Sequence, residues 1–232
     1  MTERTETASE RTELLIGKEG LKKLADSHVT VVGIGGVGGH CTEALARAGV
    51  GRLLLVDPDT VRESNLNRQL IATKRTLGMK KTDAMRDRLR DVSDCLVESA
   101  EVFVTPENIK ETLCPETDFI VDAIDSVPGK TAIALFGKEH GIPVISCMGA
   151  GNRMDPGAFR ITDIFETSGC PLARKLRQEL RKAGIGELPV VVSEETAVRK
   201  EGQTVIGSIA PVPAAAGLIA AGYVLNRLLS EK

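Results

Sequence analysis

A glycine-rich turn followed by an acidic strand end is the clearest candidate for a nucleotide site in this sequence. The glycines of a G-x-G-x-x-G pattern stand directly after an apolar run and before a helical pattern: Gly33, Gly35, Gly36 and Gly38. Glycines let backbone N–H groups approach phosphates, and the N-terminus of the following helix offers a partial positive charge. Asp57 ends the next apolar run, where its carboxylate can accept hydrogen bonds from ribose hydroxyls. These residues predict a nucleotide but do not distinguish NAD, FAD and ATP.

The loop after Asp57 favours cleavage of a phosphoanhydride over hydride transfer. It reads D-P-D-T-V-R-E-S-N-L-N-R-Q at 57–69, with G-M-K-K at 78–81. A dehydrogenase needs cations only to neutralise its dinucleotide. Phosphoanhydride cleavage needs them for catalysis, because negative charge builds on the phosphates and on the departing pyrophosphate. The loop therefore predicts ATP as the nucleotide.

The order and spacing of these motifs resemble the ThiF/MoeB/HesA superfamily of ATP-dependent adenylating enzymes, which are relatives of ubiquitin-activating enzymes. The resemblance extends through D-A-I-D-S at 122–126 and covers most of the chain. It implies that Asn65 and Arg68 contact the triphosphate and that Lys81 neutralises it. It also implies that a substrate carboxylate attacks the α-phosphate of ATP, which gives an acyl-adenylate and pyrophosphate. Positioning and electrostatics can supply most of the rate of that step.

Three carboxylates and one arginine complete the site that the resemblance implies. Asp57 would hold the ribose, and Asp125 would bind Mg²⁺ or orient ATP, with Asp59 as a neighbour of the metal. Arg11, in R-T-E-L-L at 11–15, matches an arginine that reaches across a homodimer into the site of the other subunit. The residues expected to act in catalysis are Arg68, Lys81, Asp125 and Arg11, with ATP and Mg²⁺ as cofactors.

The second half of the chain indicates which carboxylate is activated. The segments 148–156 (M-G-A-G-N-R-M-D-P), 161–164 (I-T-D-I) and 171–177 (P-L-A-R-K-L-R) resemble the tRNA threonylcarbamoyladenosine dehydratase branch of the superfamily. This resemblance implies that the carboxylate of threonylcarbamoyladenosine, next to the anticodon, is adenylated and that ring closure then gives the cyclic hydantoin form. Because the nucleophile of the ring closure is tethered to the electrophile, no catalytic thiol is required.

A basic helix predicted at 171–183 is the candidate contact for the tRNA partner. Its cations could bind the phosphate backbone, although charge alone fits a solvated helix face equally well. The resemblance favours RNA. The predicted RNA-binding residues are Arg174, Lys175, Arg177, Arg181 and Lys182.

The five cysteines are far apart and form no C-x-x-C pair, which argues against a disulfide framework and against a structural zinc site. A reducing cytoplasm is therefore the expected location. Cys170 stands where the resembled branch commonly has an aspartate before Pro-Leu. We expect a small, buried or half-exposed cysteine there in preference to a reactive one.

Two other functions remain open from the sequence. One is adenylation of the C-terminal carboxylate of a ubiquitin-like sulfur-carrier protein, with a possible sulfur-transfer partner protein. The missing cysteine pairs count against it. The other is an NAD-binding dehydrogenase or nucleotide-sensing module. Tyr223 heads Y-x-x-x-R, however, and not the Y-x-x-x-K of a short-chain dehydrogenase.

The elements that must position these residues alternate between strands and helices. Apolar, β-branched runs predict strands at 28–34, 52–57, 96–104, 118–124 and 142–147. Helical spacing predicts helices at 38–48, 79–92 and 128–140. This alternation indicates an α/β, Rossmann-like, mostly parallel sheet with flanking helices. Further strands at 159–164 and 189–193 are expected to form a C-terminal extension of the sheet and to cover part of the nucleotide edge.

Composition indicates one domain and excludes several classes of function. We expect a mobile tail at 1–10 and a single adenylating-enzyme domain at 11–232, with the nucleotide-binding part at 11–147 and the substrate part and C-terminal helix at 148–232. A net charge of −2 excludes a bulk basic nucleic-acid binder, and an aromatic content of 3% argues against a protein that stacks successive bases.

An alanine-rich segment near the C-terminus could be mistaken for a membrane span. Its helical part, from about residue 214, falls short of the roughly 20 residues that a bilayer requires. The sequence therefore predicts a buried C-terminal helix and no membrane association.

Overall fold

The computed structural model describes residues 7–198, 202 and 204–230. Within them, seven strands form one sheet in the order β3-β2-β1-β4-β5-β7-β6, and only the β6–β7 pair is antiparallel. The strands are β1 (His28–Val32), β2 (Arg52–Val56), β3 (Leu96–Ala100), β4 (Phe119–Asp122), β5 (Val144–Cys147), β6 (Phe159–Asp163) and β7 (Pro189–Ser193). The helices are α1 (Glu10–Asp26), α2 (Gly38–Ala48), α3 (Lys81–Arg90), α4 (Ile109–Thr112), α5 (Val127–His140), α6 (Pro171–Lys182) and α7 (Pro211–Ser230).

The central strands are buried along almost their whole length because helices cover both faces of the sheet. In β2, Leu53 and Leu55 pack into the core on the side of α2 and α7. Their neighbours Leu54 and Val56 point to the opposite side, into the core formed with α5 and α6. This continuous burial is typical of parallel sheets, and it confirms the predicted Rossmann-like α/β architecture. The predicted extension of the sheet is also confirmed, since β7 pairs with β5 and β6 forms the edge.

The first helix is absent from the sequence-based prediction. Its residues are mostly polar, and two glycines interrupt the pattern. Gly17 bends the helix with φ 72° and ψ 173°, so the periodicity of a straight helix is lost. Of its side chains, Leu24 is buried. Most of the predicted N-terminal tail lies outside the described residues, but Glu10 already belongs to α1.

The C-terminal helix α7 packs against α2 as a core element. Val212, Ala216, Ala220 and Val224 repeat at helical spacing and are buried. A Cβ added at Gly217 would lie 2.2 Å from the carbonyl oxygen of Val37, so the glycine permits close contact with the start of α2. Among the described helices, α7 is the one that is long and apolar enough to cross a membrane. Its buried face confirms the prediction of a core helix.

Candidate active site

A cavity of about 550 Å³ lies at the carboxyl ends of β1, β2, β4 and β5. The strand order reverses between β1 and β4, and in open parallel sheets ligands bind at such a switch point. Predicted site residues from three separate stretches of the chain line this cavity: Gly33, Gly35, Asp57, Asp59, Asn65, Arg68, Lys81 and Asp125. The opposite wall is formed by 147–150 and Leu172. No described residue of β6 or β7 lines the cavity, so these strands do not cover the nucleotide edge as expected.

The four glycines of the turn have different physical roles. Gly33 has φ 92°, which favours glycine, and an added Cβ would lie 2.9 Å from the backbone of Ala123. A Cβ at Gly38 would lie 1.8 Å from the Gly33 carbonyl oxygen, and one at Gly36 would lie 3.2 Å from Pro213. Gly36 and Gly38 therefore serve the packing behind the cavity. Gly35 lines the cavity itself, where the missing side chain leaves room for a ligand.

Two carboxylates hold a lysine at the end of β2. Asp57 is buried, and its Oδ2 and Oδ1 accept hydrogen bonds from the backbone N–H groups of Ile34 at 2.6 Å and Asp59 at 2.9 Å. The Nζ of Lys81 lies 2.7 Å from Oδ2 of Asp59 and 3.6 Å from Oδ1 of Asp57. Lys81 is the first residue of α3, where the helix terminus adds partial positive charge. The cavity thus contains a fixed cation beside a carboxylate whose position is set by the backbone.

The loop that carries Asn65 and Arg68 folds as a 3-10 turn, Glu63–Asn65, followed by further turns. The Oδ1 of Asn65 accepts a hydrogen bond from the Arg62 backbone N–H at 3.0 Å, which leaves its amide nitrogen as the group available to a ligand. One terminal nitrogen of Arg68 donates to the Ser64 carbonyl and to Oδ1 of Asn67, each at 2.8 Å. These contacts fix the Arg68 side chain and leave its other N–H groups for an anion.

Asp125 is an exposed carboxylate on the cavity, one residue before Ser126 caps α5. No group of three or more His, Cys, Asp or Glu side chains suited to a metal occurs among the described residues. Mg²⁺ often binds proteins through one or two carboxylates, with water and phosphates as its other ligands. An exposed carboxylate beside a cavity large enough for a nucleotide fits that mode of binding.

A fully buried ion pair lies directly beneath the cavity, and the sequence analysis missed it. The Nζ of Lys130, on α5, lies 3.0 Å from both carboxylate oxygens of Asp122 and 3.0 Å from Oγ of Ser146. It also donates to the Cys147 carbonyl at 2.8 Å. The signal was present, because Lys130 shares the apolar face of α5 with Ile133 and Ala134. This network connects the carboxyl ends of β4 and β5.

The predicted RNA-binding cations on α6 do not form a uniform basic face. Arg177 is turned inward and donates to the Thr167 carbonyl at 2.8 Å and to the Thr167 hydroxyl, so it holds that turn in place. Lys182 pairs with Glu179 at 2.8 Å, and Arg181 lies 5.3 Å from the ring centre of Phe165. The structure therefore differs from the prediction for Arg177. Two predicted cations are exposed and have no partner among the described residues: Arg174 and Lys175.

Arg11 lies in the first turn of α1 and is exposed. It does not line the cavity. Two large apolar side chains next to it are also exposed, Leu14 at 80% and Leu15 at 87%. A role for Arg11 in catalysis therefore requires a second subunit.

The cysteines offer no thiolate to the cavity. Cys147 is the one that lines it, and burial raises the pKa of this thiol to about 12. Burial also raises the pKa of Cys41 well above its ordinary value. Cys170 is buried at the start of α6, which confirms the expectation of a small buried cysteine. Nucleophilic chemistry by Cys147 at neutral pH is thus disfavoured.

Comparison with known proteins gives consistent matches over the whole described fold. The model of the ThiF family matches residues 9–232. The tRNA threonylcarbamoyladenosine dehydratase of Bacillus subtilis is 41% identical, over 95% of this chain and 94% of its own length. The protein of the same name from Escherichia coli is 40% identical over 72% of this chain, and the matched region spans 63% of the E. coli protein.

Solved structures of the E. coli protein match the fold closely. The complex with AMP superposes with a TM-score of 0.89 at 33% identity and covers 97% of this chain and 98% of that chain. A structure of the same protein contains ATP and has a TM-score of 0.88. A relative of another kind, the molybdopterin-synthase adenylyltransferase of Salmonella typhimurium, is 34% identical over 66% of this chain and 60% of its own length.

Proposed function

The chain belongs to the ThiF family, and from this we propose that it is an ATP-dependent adenylating enzyme that acts on the carboxylate of threonylcarbamoyladenosine in tRNA and yields the cyclic derivative by dehydration. The observation that carries the proposal is the meeting of a glycine turn, a ribose-binding carboxylate and two cations on one cavity: Gly35, Asp57, Arg68 and Lys81. The B. subtilis dehydratase, matched over nearly its full length, supports the choice of substrate. We place the reaction in the cytoplasm.

The lining of the cavity favours one orientation of bound ATP. Asp57 directly follows β2 and lines the cavity together with the apolar segment 102–104, which suits the adenosine part. Gly35 and Arg68 line the part nearest the glycine turn, which suits the phosphates. Asp125 would hold Mg²⁺, which neutralises phosphate charge when it is bound.

The proposed reaction has two steps. A carboxylate oxygen of the substrate forms a bond to the α-phosphorus of ATP, and the bond from that phosphorus to the bridging oxygen of pyrophosphate breaks. Arg68 and Lys81 stabilise the negative charge that gathers on the leaving group. In the second step, a nitrogen of the same modified nucleoside attacks the activated carbonyl carbon, loses its proton and displaces AMP. Tethering supplies the nucleophile, which agrees with the raised pKa of Cys147.

Arg174 and Lys175 support the proposed contact with tRNA. They lie in the first turns of α6, next to Leu172, which lines the cavity. The far end of this helix is about 15 Å away from Leu172 at 1.5 Å per residue. We therefore assign the phosphate-backbone contact to the cavity end of α6.

The proposed substrate can be tested by pyrophosphate exchange and by nucleoside mass spectrometry. We expect the purified protein to exchange labelled pyrophosphate into ATP when tRNA with threonylcarbamoyladenosine is present, and to convert that nucleoside to its cyclic form. The matched control is the same tRNA transcribed without the modification, which lacks the carboxylate and should support no exchange. Exchange that required a ubiquitin-like carrier protein and ignored tRNA would contradict the proposal. It would instead indicate sulfur-carrier activation with a sulfur-transfer partner.

We further propose a homodimer in which Arg11 enters the site of the partner subunit. The apolar side chains of Leu14 and Leu15, close to Arg11 in sequence, are 80% and 87% exposed in the described part of the single chain. A symmetric dimer that packs this end of α1 against a second copy would bury both leucines and bring each Arg11 to the other cavity.

Mixed dimers test whether Arg11 acts in the partner's site. Arg11→Ala and Lys81→Ala homodimers are each expected to be nearly inactive. When the two variants are unfolded and refolded together, random pairing makes about half of the dimers mixed. Each mixed dimer has one intact site out of two, so about one quarter of wild-type activity should return. A mixture of Lys18→Ala with Lys81→Ala should give about one half of wild-type activity and serves as the control for recovery of active protein after refolding. If Arg11 acts within its own subunit, the Arg11→Ala and Lys81→Ala mixture will stay inactive.

A further inference from the structure

We propose that Asn67 is a positioning residue for Arg68, and that it holds the Arg68 guanidinium from the segment 204–209, which is anchored beside the opposite wall of the cavity. The inference rests on the proposed function and adds to it a residue at a position that the motif leaves unspecified. Asn67 directly precedes Arg68 but does not line the cavity itself. Any effect of Asn67 on the reaction must therefore act through a neighbour.

The side-chain amide of Asn67 joins Arg68 to a separate segment of the chain. Its Oδ1 accepts a hydrogen bond from a terminal nitrogen of Arg68 at 2.8 Å, and its Nδ2 donates to the Ser208 carbonyl at 2.9 Å. Because a guanidinium only donates and a carbonyl only accepts, this orientation of the amide is the one that satisfies both partners. The Asn67 side chain is thus held at both ends.

The bond to Ser208 gives the Arg68 side chain a support outside its own loop. The same nitrogen of Arg68 also donates to the Ser64 carbonyl at 2.8 Å. Ser64 belongs to the loop that carries Arg68, so its carbonyl moves when the loop moves. Ser208 lies in a different part of the chain, directly before α7, and its carbonyl fixes the guanidinium relative to the rest of the fold.

The segment 204–209 is anchored by Asn152. The backbone N–H of Asn152 donates to the Gly207 carbonyl at 2.8 Å, and its Oδ1 accepts from the Gly207 N–H at 2.6 Å. Asn152 has φ 56°, the one positive value of a non-glycine residue in the described part of the chain, and such a conformation persists where its surroundings fix it. Ala150, two residues earlier, lines the cavity. The segment therefore connects the two walls.

Stabilisation of charge by Arg68 requires a guanidinium in a fixed position. Preorganised groups are effective because they need no reorientation when charge develops, and a small displacement slows the reaction. Without Asn67, Arg68 keeps its charge but loses one of the contacts that hold it. The loss should therefore be smaller than that caused by removal of Arg68 itself.

We expect Asn67→Ala to lower the kcat of tRNA-dependent pyrophosphate exchange about tenfold, against the 10²- to 10³-fold typical of deleting a charge-stabilising group. The KM for ATP should change by less than about twofold, because the interaction is made mainly in the transition state. Asn67 is exposed, so the urea midpoint of unfolding should stay near that of the wild type. Asn226→Ala, at an exposed position on α7, is the matched control and should change none of these quantities.

Two double-mutant cycles separate positioning from a local structural role. In an Arg68→Ala background, Asn67→Ala should cause no further loss, because no guanidinium remains to be positioned. Asn152→Gly tolerates the positive φ and removes the Oδ1 acceptor, while the backbone bond to Gly207 remains. It should lower kcat about threefold, the effect of one ordinary hydrogen bond, and should add nothing to the loss in Asn67→Ala.

Four results would overturn the inference and leave the proposed function intact. An unchanged kcat for Asn67→Ala would show that the contact has no role, and a loss confined to the KM for ATP would show ground-state binding. A full loss from Asn67→Ala in the Arg68→Ala background would show that Asn67 acts independently of Arg68. Losses from Asn67→Ala and Asn152→Gly that multiply would refute the anchoring through 204–209. Wild-type protein without tRNA-dependent exchange would overturn the proposed function as well.

Discussion

Replacement of Lys81 by methionine is expected to slow tRNA-dependent pyrophosphate exchange by about 10²- to 10³-fold, the loss typical of removing one charge-stabilising group from a preorganised site. Lys81 is buried on the cavity between Asp57 and Asp59. Without its charge, these carboxylates would face the phosphates of ATP unopposed. The variant should still fold, because Asp57 keeps its two backbone N–H donors. The loss should appear mainly in kcat, since charge on the leaving pyrophosphate is largest in the transition state.

The neighbouring lysine provides the control for this prediction. Lys80 is exposed, and its ammonium group pairs with Glu101 outside the set of cavity-lining residues. Lys80→Met removes the same charge from the same turn and should leave the exchange rate within about twofold of wild type, as expected for a surface ion pair. Equal rates for Lys81→Met and wild type would contradict the role of Lys81. Equal losses in both variants would show that net charge matters and position does not.

The cavity residues that were predicted from the sequence could be identified from patterns close to them in the chain. Gly33 and Asp57 come directly after a strand and Gly35 stands three residues after one, and the carboxyl ends of parallel strands meet at one edge of a sheet. Their placement therefore follows from the alternation of strands and helices. Arg68 and Lys81 lie farther along the chain, and they were found through the fixed order of the loop motif. The roles expected for Arg68 and Lys81 therefore rest on the resemblance of that motif to the ThiF/MoeB/HesA superfamily and not on spacing alone.

Residues whose role depends on a distant partner could not be predicted in the same way. Arg177 belongs to a helix with several cations, and only the position of the Thr167 turn shows that its guanidinium is used internally. The helix α1 was missed because its bend at Gly17 hides the periodicity. In each case the deciding feature belongs to the folded chain and cannot be read from the local sequence pattern.

The buried pair of Lys130 and Asp122 connects the stability of the fold to the geometry of the site. Asp122 ends β4, and the next three residues line the cavity. The Cys147 carbonyl, which also accepts from Lys130, ends β5, and the cavity wall continues from it to Ala150. The ammonium group of Lys130 therefore joins the ends of β4 and β5, and the segments that follow these two strands line the cavity. The side chain of Lys130 is 0% exposed and that of Asp122 is 1% exposed, so neither charge is solvated.

Lys130→Met is accordingly expected to lower the free energy of unfolding by about 3–5 kcal/mol, because it leaves the Asp122 carboxylate buried without a counter-charge. The double variant Lys130→Met/Asp122→Asn should recover most of this loss, since the neutral amide can still accept from Ser146. Urea unfolding measures both, with Lys175→Met at an exposed position on α6 as a control that should change the free energy of unfolding by no more than about 0.5 kcal/mol. Equal losses in the single and double variants would show that Lys130 contributes by packing alone. Recovery in the double variant would identify the unpaired carboxylate as the cause of the loss.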